Sequence, residues 1–323
     1  MLEAVLADTA RSFGRAIVMP NLVPPVTTTA DAEAYRGRIL AALPAGLSFE
    51  PLMTLYLTDG TTPEEIRRAK DAGFVHGVKL YPAHATTNSA HGVTNIQALD
   101  PVLSTMAEVG MPLLVHGEKL GPDIDVFDRE KVFIADILGP LASRHPELKI
   151  VLEHITTREG VEWVQAGDAR IGGTLTAHHL ILDRNDLFAG GLRPHHYCLP
   201  VVKRREHKLA LRAAAVSGHP RIFLGTDSAP HPLRAKEAAK CCAGLYTAPT
   251  AMALYARVFA EEGALDRLEG FASRHGQAFY GLPVSERTMT LVREEASAPA
   301  KVVVGDDEVL PFHPDDGLDW RVV

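Results

Sequence analysis

The stretch Leu113-Leu114-Val115-His116-Gly117-Glu118 runs from an apolar segment directly into a potential metal ligand. Apolar runs of this length are typical of parallel strands that are buried on both faces of a sheet. A polar residue at the carboxyl end of such a strand is where a (β/α)8 barrel builds its active site. Three other stretches place Lys79, His154 and Asp227 after an apolar run: Gly77-Val78-Lys79-Leu80-Tyr81-Pro82, Val151-Leu152-Glu153-His154-Ile155-Thr156 and Phe223-Leu224-Gly225-Thr226-Asp227-Ser228-Ala229-Pro230-His231. Together they predict a barrel with a metal-assisted hydrolase site.

Strand-like and helix-like patterns alternate along the chain, which indicates an α/β fold with a parallel sheet. The predicted strands are 15–21, 50–57, 74–81, 111–117, 149–155, 170–177 and 221–227. The predicted helices are 1–13, 29–43, 62–72, 95–109, 129–145, 158–166, 205–217, 247–262 and 266–279. A closed barrel has eight strands, and the opening helix has no strand before it. We therefore predict a (β/α)8 TIM barrel of the metal-dependent type whose first strand is missing from the chain.

The composition restricts the class of protein. Residues 1–323 fit a single barrel domain, with a tail from about 285 to 323 packed on it. A formal net charge of −7 gives no basic surface for nucleic acid. No apolar run reaches the ~18 residues of a membrane span, and the first residues do not have the pattern of a secretory leader. We expect a protein that binds neither nucleic acid nor membrane.

Cysteine and histidine usage adds little evidence for further sites. Cys198, Cys241 and Cys242 are odd in number and two are adjacent, which argues against a disulfide framework and favours a reducing, cytoplasmic location. We interpret Cys241 and Cys242 as structural, because zinc thiolate sites usually space their cysteines by two or more residues. The pairs His178-His179 and His195-His196 are expected at the surface or in loops.

Lys79 follows Val78 at the end of a predicted buried strand. An isolated ammonium in this position would carry a large desolvation cost. Two interpretations remain open for the residue by itself. One is an ion pair with a neighbouring carboxylate, and the other is carbamylation by carbon dioxide, which turns the lysine into a carboxylate able to bridge two cations. The other candidate ligands nearby favour the bridging carboxylate.

His116 and His154 each end an apolar strand, and Asp227 ends the last one. A single histidine in this position is more often a satisfied core residue, and a single aspartate is often a helix N-cap. Two histidines at successive strand ends, with an aspartate to follow, favour zinc, which neutral imidazole binds well. Asp227 would also move a proton. Glu118 and Glu153 are close in sequence, but the alternation of side chains along a strand points them elsewhere.

Polar residues near the strand ends are candidates for substrate binding. Asn21 either starts a turn or donates an amide hydrogen bond to a substrate carboxylate. His231 lies four residues after Asp227 and would bind an anion as imidazolium. Thr86 and Thr87 lie in a polar stretch whose composition suits a mobile loop.

With these residues in place, the chain resembles dihydroorotases of the shorter, homodimeric bacterial class within the amidohydrolase superfamily. The resemblance covers essentially the whole chain. Its most specific stretches are Gly14-Arg15-Ala16-Ile17-Val18-Met19-Pro20-Asn21-Leu22, Lys79-Leu80-Tyr81-Pro82, Ala85-Thr86-Thr87-Asn88-Ser89, Leu113-Leu114-Val115-His116-Gly117-Glu118, Glu153-His154-Ile155-Thr156-Thr157, Arg193-Pro194-His195, Tyr197-Cys198-Leu199-Pro200 and Leu224-Gly225-Thr226-Asp227-Ser228-Ala229-Pro230-His231.

The resemblance implies a homodimer of (β/α)8 barrels with two zinc ions per chain. It makes Lys79 the carboxylated lysine that bridges the metals, and His116 and His154 the ligands of the second metal. Asp227 corresponds to the aspartate that binds the first metal and moves the proton. The implied substrate contacts are Asn21 and His231 at a carboxylate, Thr86 and Thr87 in a closing loop, and the backbone of Leu199 and Ala243 at the pyrimidine ring.

The activity that the resemblance implies is the reversible cyclisation of N-carbamoyl-L-aspartate to L-dihydroorotate in pyrimidine biosynthesis, by a zinc-bridged hydroxide. Two rivals remain. Another cyclic amidase, such as a hydantoinase or allantoinase, would share the metal chemistry, although Asn21 and His231 favour a substrate with a carboxylate. The other rival is a catalytically dead barrel that acts as a subunit or scaffold.

The second rival rests on a departure from the family pattern. The first strand of the family carries His-x-His-x-Arg, and nothing in residues 1–14 matches it. The first metal would then keep only Lys79 and Asp227 as protein ligands. We expect that the 323-residue chain is a shortened version of a protein ~20–25 residues longer, a span taken from typical strand and connection lengths.

Overall fold

A parallel sheet of seven strands forms the centre of the molecule. The computed structural model describes residues 1–297 and 301–323. The strands are β1 (Arg15–Ile17), β2 (Glu50–Tyr56), β3 (Val75–Leu80), β4 (Leu113–Val115), β5 (Ile150–Leu152), β6 (Ile171–Leu175) and β7 (Ile222–Leu224). They pair in chain order, each parallel to the next. The prediction of seven barrel-type strands is confirmed, although most strands are shorter than predicted.

Helices follow the strands along the chain, as the alternating pattern predicted. They are α1 (Leu2–Ser12), α2 (Thr29–Ala41), α3 (Pro63–Asp71), α4 (Asp100–Val109), α5 (Arg129–Phe133), α6 (Gly139–Arg144), α7 (Arg158–Ala166), α8 (Ala177–Ile181), α9 (Arg205–Ala215), α10 (Leu233–Lys236), α11 (Ala251–Glu261) and α12 (His275–Tyr280). Short 3-10 turns cover Ile96–Leu99, Arg184–Leu187, Pro194–His196 and Leu265–Arg267, and π turns cover Ile134–Leu138 and Gly270–Arg274.

Local sequence explains where several helices begin. Thr62 accepts a hydrogen bond from the Glu65 backbone N–H, and Pro63 occupies the first turn of α3. Pro63 has a fixed φ and no N–H to leave unpaired, so it suits this position. Thr28 and Asp31 form a reciprocal capping box at the start of α2. Such caps satisfy backbone N–H groups that would otherwise lack a partner.

The interior of the sheet is packed with large apolar side chains. Leu114, Val151 and Phe223 of the sheet form one buried cluster with Phe279 of α12, and Ile17 packs against it. The larger core lies between the sheet and the surrounding helices. Both faces of the sheet are therefore covered, as expected for parallel strands. The covered sheet leaves the carboxyl ends of the strands as the place for polar groups.

The sheet is open along one seam. Within residues 1–297 and 301–323, β1 pairs only with β2, and β7 pairs only with β6. A cavity of about 1930 Å³ begins at the carboxyl ends of the strands and continues along this seam, where Leu2, Phe13 and Leu224 line it. The curled sheet and its helices are of the TIM-barrel type, and the seam is where the sequence predicted a strand to be missing.

The C-terminal region contains strands that the sequence analysis did not predict. The antiparallel pairs are β8 (Leu291–Ala296) with β11 (Leu318–Val322), and β9 (Val302–Val304) with β10 (Asp307–Val309). Trp320 and Leu318 are buried in the main core. The part of the predicted tail at residues 298–300 lies outside the described residues. No described helix is long and apolar enough to cross a membrane.

Candidate active site

The cavity at the carboxyl ends of the strands gathers the residues that the sequence singled out. Its wall includes the predicted metal ligands Lys79, His116, His154 and Asp227. It also includes the predicted substrate contacts Asn21, Thr86, Thr87, Leu199, His231 and Ala243. Residues from distant parts of the chain meet here because parallel strands end at the same edge of the sheet.

Lys79 is buried, and its ammonium forms an ion pair with the carboxylate of Glu153. Of the two interpretations left open by the sequence, the ion pair is the one present in this structure. The expectation that Glu153 points away from the site is wrong. Strand β5 ends at Leu152, so the alternation of side chains no longer applies at Glu153. The next residue, His154, has a positive φ of 43°, and with this left-handed conformation the chain leaves the strand geometry.

Glu118 does not line the cavity, in keeping with the expectation from alternation, but it contacts a residue that does. Its Oε2 lies 2.7 Å from Nε2 of His116, and both side chains are buried. A carboxylate accepts, so Nε2 is the donor in this contact and Nδ1 is the ring nitrogen left for a metal. A carboxylate behind a histidine ligand is a common arrangement in metal sites, because it fixes both tautomer and ring orientation.

His154 lies beside His116, with ring centroids 4.9 Å apart. Its Nδ1 is buried and has no hydrogen-bond partner among the described residues. Burial lowers the pKa of His154 well below its usual value, and the Lys79 ammonium lowers it further. The ring is therefore neutral at physiological pH, which is the form that binds a metal ion.

Two of the predicted ligands share an uncommon backbone conformation. Both His154 and Asp227 have a φ of 43°, in the left-handed region that non-glycine residues rarely adopt. The backbone N–H of His154 is held by Thr174 Oγ1 at 2.8 Å. Such strain persists only where the surrounding structure fixes it, and it occurs often at functional sites.

Asp227 is half-buried at the cavity wall. Burial raises the pKa of its carboxyl; the Lys79 ammonium opposes this shift and the Glu153 carboxylate adds to it. A carboxyl with a raised pKa binds and releases a proton more readily near neutral pH. The environment of Asp227 therefore suits proton transfer as well as metal binding.

The loop that contains Thr86 and Thr87 is folded over the cavity. Thr87 Oγ1 donates to the Ala243 carbonyl oxygen at 3.3 Å, and Asn21 Nδ2 donates to the Thr87 carbonyl oxygen at 3.3 Å. Asn88 Nδ2 in turn donates to the Asn21 carbonyl oxygen at 3.0 Å. The loop thus connects the segment after β1 with the segment around Ala243, through weak side-chain contacts that a substrate could replace.

His231 lies in the loop after Asp227 and is half-buried. Burial lowers its pKa, the nearby Lys236 ammonium lowers it further, and an interaction with the Ala243 backbone opposes these effects. These surroundings favour the neutral ring in this structure, whereas the sequence analysis expected an imidazolium. A neutral ring still offers one N–H donor to an anion.

The residues at the cavity wall suit a bound metal. A buried imidazole nitrogen without a partner on His154, a His116 ring whose tautomer Glu118 fixes, and the carboxylate of Asp227 are borderline-soft N and O donors of the kind zinc prefers. His116 and His154 are the candidates to hold one metal. Lys79 and Asp227 supply only two groups toward another.

His178 and His179 lie close to Cys198, and all three are buried, so the expectation that this histidine pair is exposed is wrong. His179 uses both ring nitrogens: Nε2 donates to the Pro200 carbonyl oxygen at 2.9 Å and Nδ1 accepts from Thr176 Oγ1 at 2.7 Å. Burial raises the pKa of the Cys198 thiol to about 12 in the absence of a metal. The ring nitrogens of His178 have no hydrogen-bond partner among the described residues, whereas both of His179 are already paired.

The chain is similar to known proteins of one family. Residues 6–170 match the Amidohydrolase family. A dihydroorotase of Ralstonia nicotianae is 60% identical over 322 residues, which cover 100% of this chain and 94% of that protein. The solved dihydroorotase of Saccharomyces cerevisiae in complex with 5-fluoroorotic acid has a TM-score of 0.90 and 36% identity, over 100% of this chain and 92% of that one.

The dihydroorotase of Campylobacter jejuni has a TM-score of 0.89 and 37% identity, with 99% of this chain and 91% of that chain covered. These identities extend over the whole chain and are therefore more than a likeness of fold. The parallel sheet and these relatives support the same family. The chain belongs to the dihydroorotase family of the amidohydrolases.

Proposed function

We propose that the chain interconverts N-carbamoyl-L-aspartate and L-dihydroorotate, as a metal-dependent hydrolase of a cyclic amide. The observation that carries this proposal is the single cavity in which Lys79, His116, His154 and Asp227 meet the polar groups Asn21 and His231. The 60% identity to the Ralstonia dihydroorotase over the full chain supports the same reaction.

We further propose that the metals are two zinc ions and that Lys79 is carboxylated when they are bound. His116 and His154 would hold one zinc, Asp227 would hold the other, and the carboxylated Lys79 would connect them. When bound, the metals supply an activated water and polarise the amide carbonyl. Carboxylation also removes the buried ammonium of Lys79, which in this structure depends on Glu153 for its charge partner.

The protein residues would orient the reactants and move the proton. Glu118 would accept from Nε2 of His116 and so leave Nδ1 as the nitrogen that holds a metal. Asp227 would accept the proton released by the attacking water and deliver it to the departing ring nitrogen, a role that its raised pKa supports. In the direction of cyclisation the same carboxyl would act in reverse.

The substrate would occupy the space between the loop of Thr86 and Thr87 and the segment around Ala243. Asn21 and His231 would donate hydrogen bonds to its carboxylate, and the backbone of Leu199 and Ala243 would contact the ring. These contacts hold the amide carbonyl beside the reacting groups, and such positioning can contribute several kcal/mol to catalysis, up to ~7–11 in favourable cases.

The first zinc would need more ligands than Lys79 and Asp227, since zinc usually has three or four. We propose that these approach from the seam between β1 and β7, which joins the same cavity. A strand in the seam would also pair with the free edges of β1 and β7, whose backbone groups otherwise lack a sheet partner among the described residues.

A comparison of substrates tests the proposed function. The zinc-loaded protein is assayed with L-dihydroorotate, with hydantoin and with allantoin at equal concentrations, both as the 323-residue chain and with a His-x-His-x-Arg strand added to fill the seam. In the more active of the two proteins we expect turnover of dihydroorotate alone, because only this substrate carries the carboxylate for Asn21 and His231. Faster turnover of hydantoin or allantoin would favour the other cyclic amidases. Zinc binding by both proteins without turnover of any of the three substrates would favour the dead barrel.

The remaining features of the proposal concern assembly and location. We propose one domain over residues 1–323, because Leu6 near the start and Trp320 near the end share one core. We propose a homodimer, which light scattering would report as twice the 34.9 kDa of the chain. The three free cysteines suit the reducing cytoplasm.

A further inference from the structure

Lys236, the last residue of α10, carries a buried ammonium that the proposed mechanism does not use. Only 4% of the residue is exposed. Among residues 1–297 and 301–323, no carboxylate lies within ion-pair distance of its Nζ. Burial lowers the pKa of Lys236, as expected for a charge without a nearby counter-ion. A charge in this position needs a compensating set of contacts.

Three backbone carbonyl oxygens supply those contacts. Nζ of Lys236 donates to the carbonyl oxygens of Tyr197 at 3.0 Å, Cys242 at 2.9 Å and Gly244 at 2.9 Å. An ammonium has three N–H donors, so each donor has one acceptor. The side chain is therefore fully hydrogen-bonded by main chain from two separate segments, 197 and 242–244.

Both segments lie directly beside the proposed substrate contacts. Cys242 and Gly244 are the neighbours of Ala243, and Tyr197 precedes Leu199 by two residues. The Gly244 backbone N–H also donates to the Tyr197 carbonyl oxygen at 3.0 Å, which joins the two segments a second time. Lys236 follows His231 by five residues, so the loop after Asp227 is connected to the same point.

The main chain at Gly244 has little freedom to move. Its φ of 139° is rarely adopted by other residues, and a Cβ there would lie 2.7 Å from Cβ of Ala229 and 2.9 Å from the Ala229 carbonyl oxygen. A segment packed this closely on one side, and held by the ammonium on the other, has one position relative to Leu199. Small displacements of such a binding surface are costly for recognition.

We propose that Lys236 is a positioning residue that sets the spacing between the Leu199 and Ala243 segments, and through it the affinity for the pyrimidine ring. The expected effect on ligand affinity rests on the proposed function, whereas the expected effect on the spacing of the two segments does not. Lys236 neither touches the reacting groups nor binds metal in this account.

Amide hydrogen exchange tests the spacing, and ligand binding tests its consequence. The variant is Lys236→Met, which keeps the length of the side chain but has no donor. Lys240→Met is the matched control, because Lys240 is an exposed lysine four residues further on. Exchange is followed at the Gly244 and Cys242 amides. The dissociation constant of 5-fluoroorotate, the ligand in the yeast relative, is measured by calorimetry on zinc-loaded protein.

We expect amide hydrogen exchange at Gly244 and Cys242 to become at least about tenfold faster in Lys236→Met, because the segment loses the hydrogen bonds that hold it in place. We expect the dissociation constant to rise about ten- to a hundredfold, with zinc content unchanged and Lys240→Met equal to the parent. If Lys236→Met does not fold, Lys236→Arg serves, since a planar guanidinium cannot direct three donors from one point.

An unchanged rate of amide hydrogen exchange in the folded variant would contradict the proposal that Lys236 fixes the spacing of the two segments. Faster exchange with an unchanged dissociation constant would overturn the role in affinity. If the parent itself does not bind 5-fluoroorotate, the proposed function is contradicted, while the exchange measurement still decides whether Lys236 fixes the two segments.

Discussion

Glu130, in the first turn of α5, holds the segment that follows His154, and its substitution should be costly. Its buried carboxylate accepts hydrogen bonds from the backbone N–H groups of Thr156 at 2.9 Å and Thr157 at 2.8 Å. It also accepts from both threonine hydroxyls. The Thr157 N–H meets Oε1, whereas the Thr156 N–H meets Oε2 and also Oε1, the latter at 3.1 Å. In Glu130→Gln, either orientation of the amide therefore places its NH2 against a backbone N–H.

The expected loss of stability follows from this geometry. A hydroxyl can rotate and accept from the new NH2, but a backbone N–H cannot. In the amide orientation that faces Thr156, its N–H keeps the remaining carbonyl oxygen as a longer acceptor, so no donor has to stay unsatisfied. The variant still loses at least one charge-assisted hydrogen bond, and we expect a loss of about 1.5–3 kcal/mol in the free energy of unfolding. With a denaturant dependence of about 3 kcal/mol per molar, the urea midpoint falls by roughly 0.5–1 M.

Urea unfolding monitored by circular dichroism measures this loss. Glu162→Gln is the matched control, because Glu162 is exposed on α7 and the same charge is removed. Its unfolding should match that of the parent within about 0.5 kcal/mol. We also expect weaker binding of the metal held by His154, since Thr156 is only two residues away. A Glu130→Gln protein with the parent's urea midpoint would refute the reasoning.

Three other predictions concern the metals, the seam and the substrate. Lys79→Ala is expected to lose both zinc ions, because one carboxylate would serve both; full zinc occupancy by metal analysis would contradict the bridge. A version of the chain extended ahead of Met1 by a strand with His-x-His-x-Arg is expected to hold two zinc ions and turn over dihydroorotate faster than the 323-residue chain; equal zinc content and equal rates would exclude the seam as the source of ligands. In the more active of these two proteins, His231→Ala should lower kcat/KM for dihydroorotate roughly ten- to a hundredfold at unchanged zinc content, the worth of one hydrogen bond to a charged group. Loss of zinc along with activity would instead make His231 a metal ligand.

The barrel strands could be predicted, and candidate ligands named at their ends, because both depend on local sequence. An apolar run followed by His116 or His154 indicates a strand and its carboxyl end, without knowledge of neighbours. Strand β8 was missed because it carries charged residues such as Arg293 and Glu294 in place of an apolar run, and because its partner β11 lies at the other end of the C-terminal region. The burial of His178 was missed because its neighbours come from other elements.

The sequence by itself determined the parallel α/β architecture, the open position in the strand count, and the identity of the candidate ligands. Only the tertiary structure decided which carboxylates contact these candidate ligands. Glu153 pairs with Lys79, 74 residues away, because the left-handed backbone at His154 ends the alternation of the strand. Lys236 reaches Tyr197 and Gly244 because three loops meet at one edge of the sheet. Periodicity describes a side chain only within its own element. Beyond the end of a strand, the direction of a side chain depends on the residues from other elements that the fold places beside it.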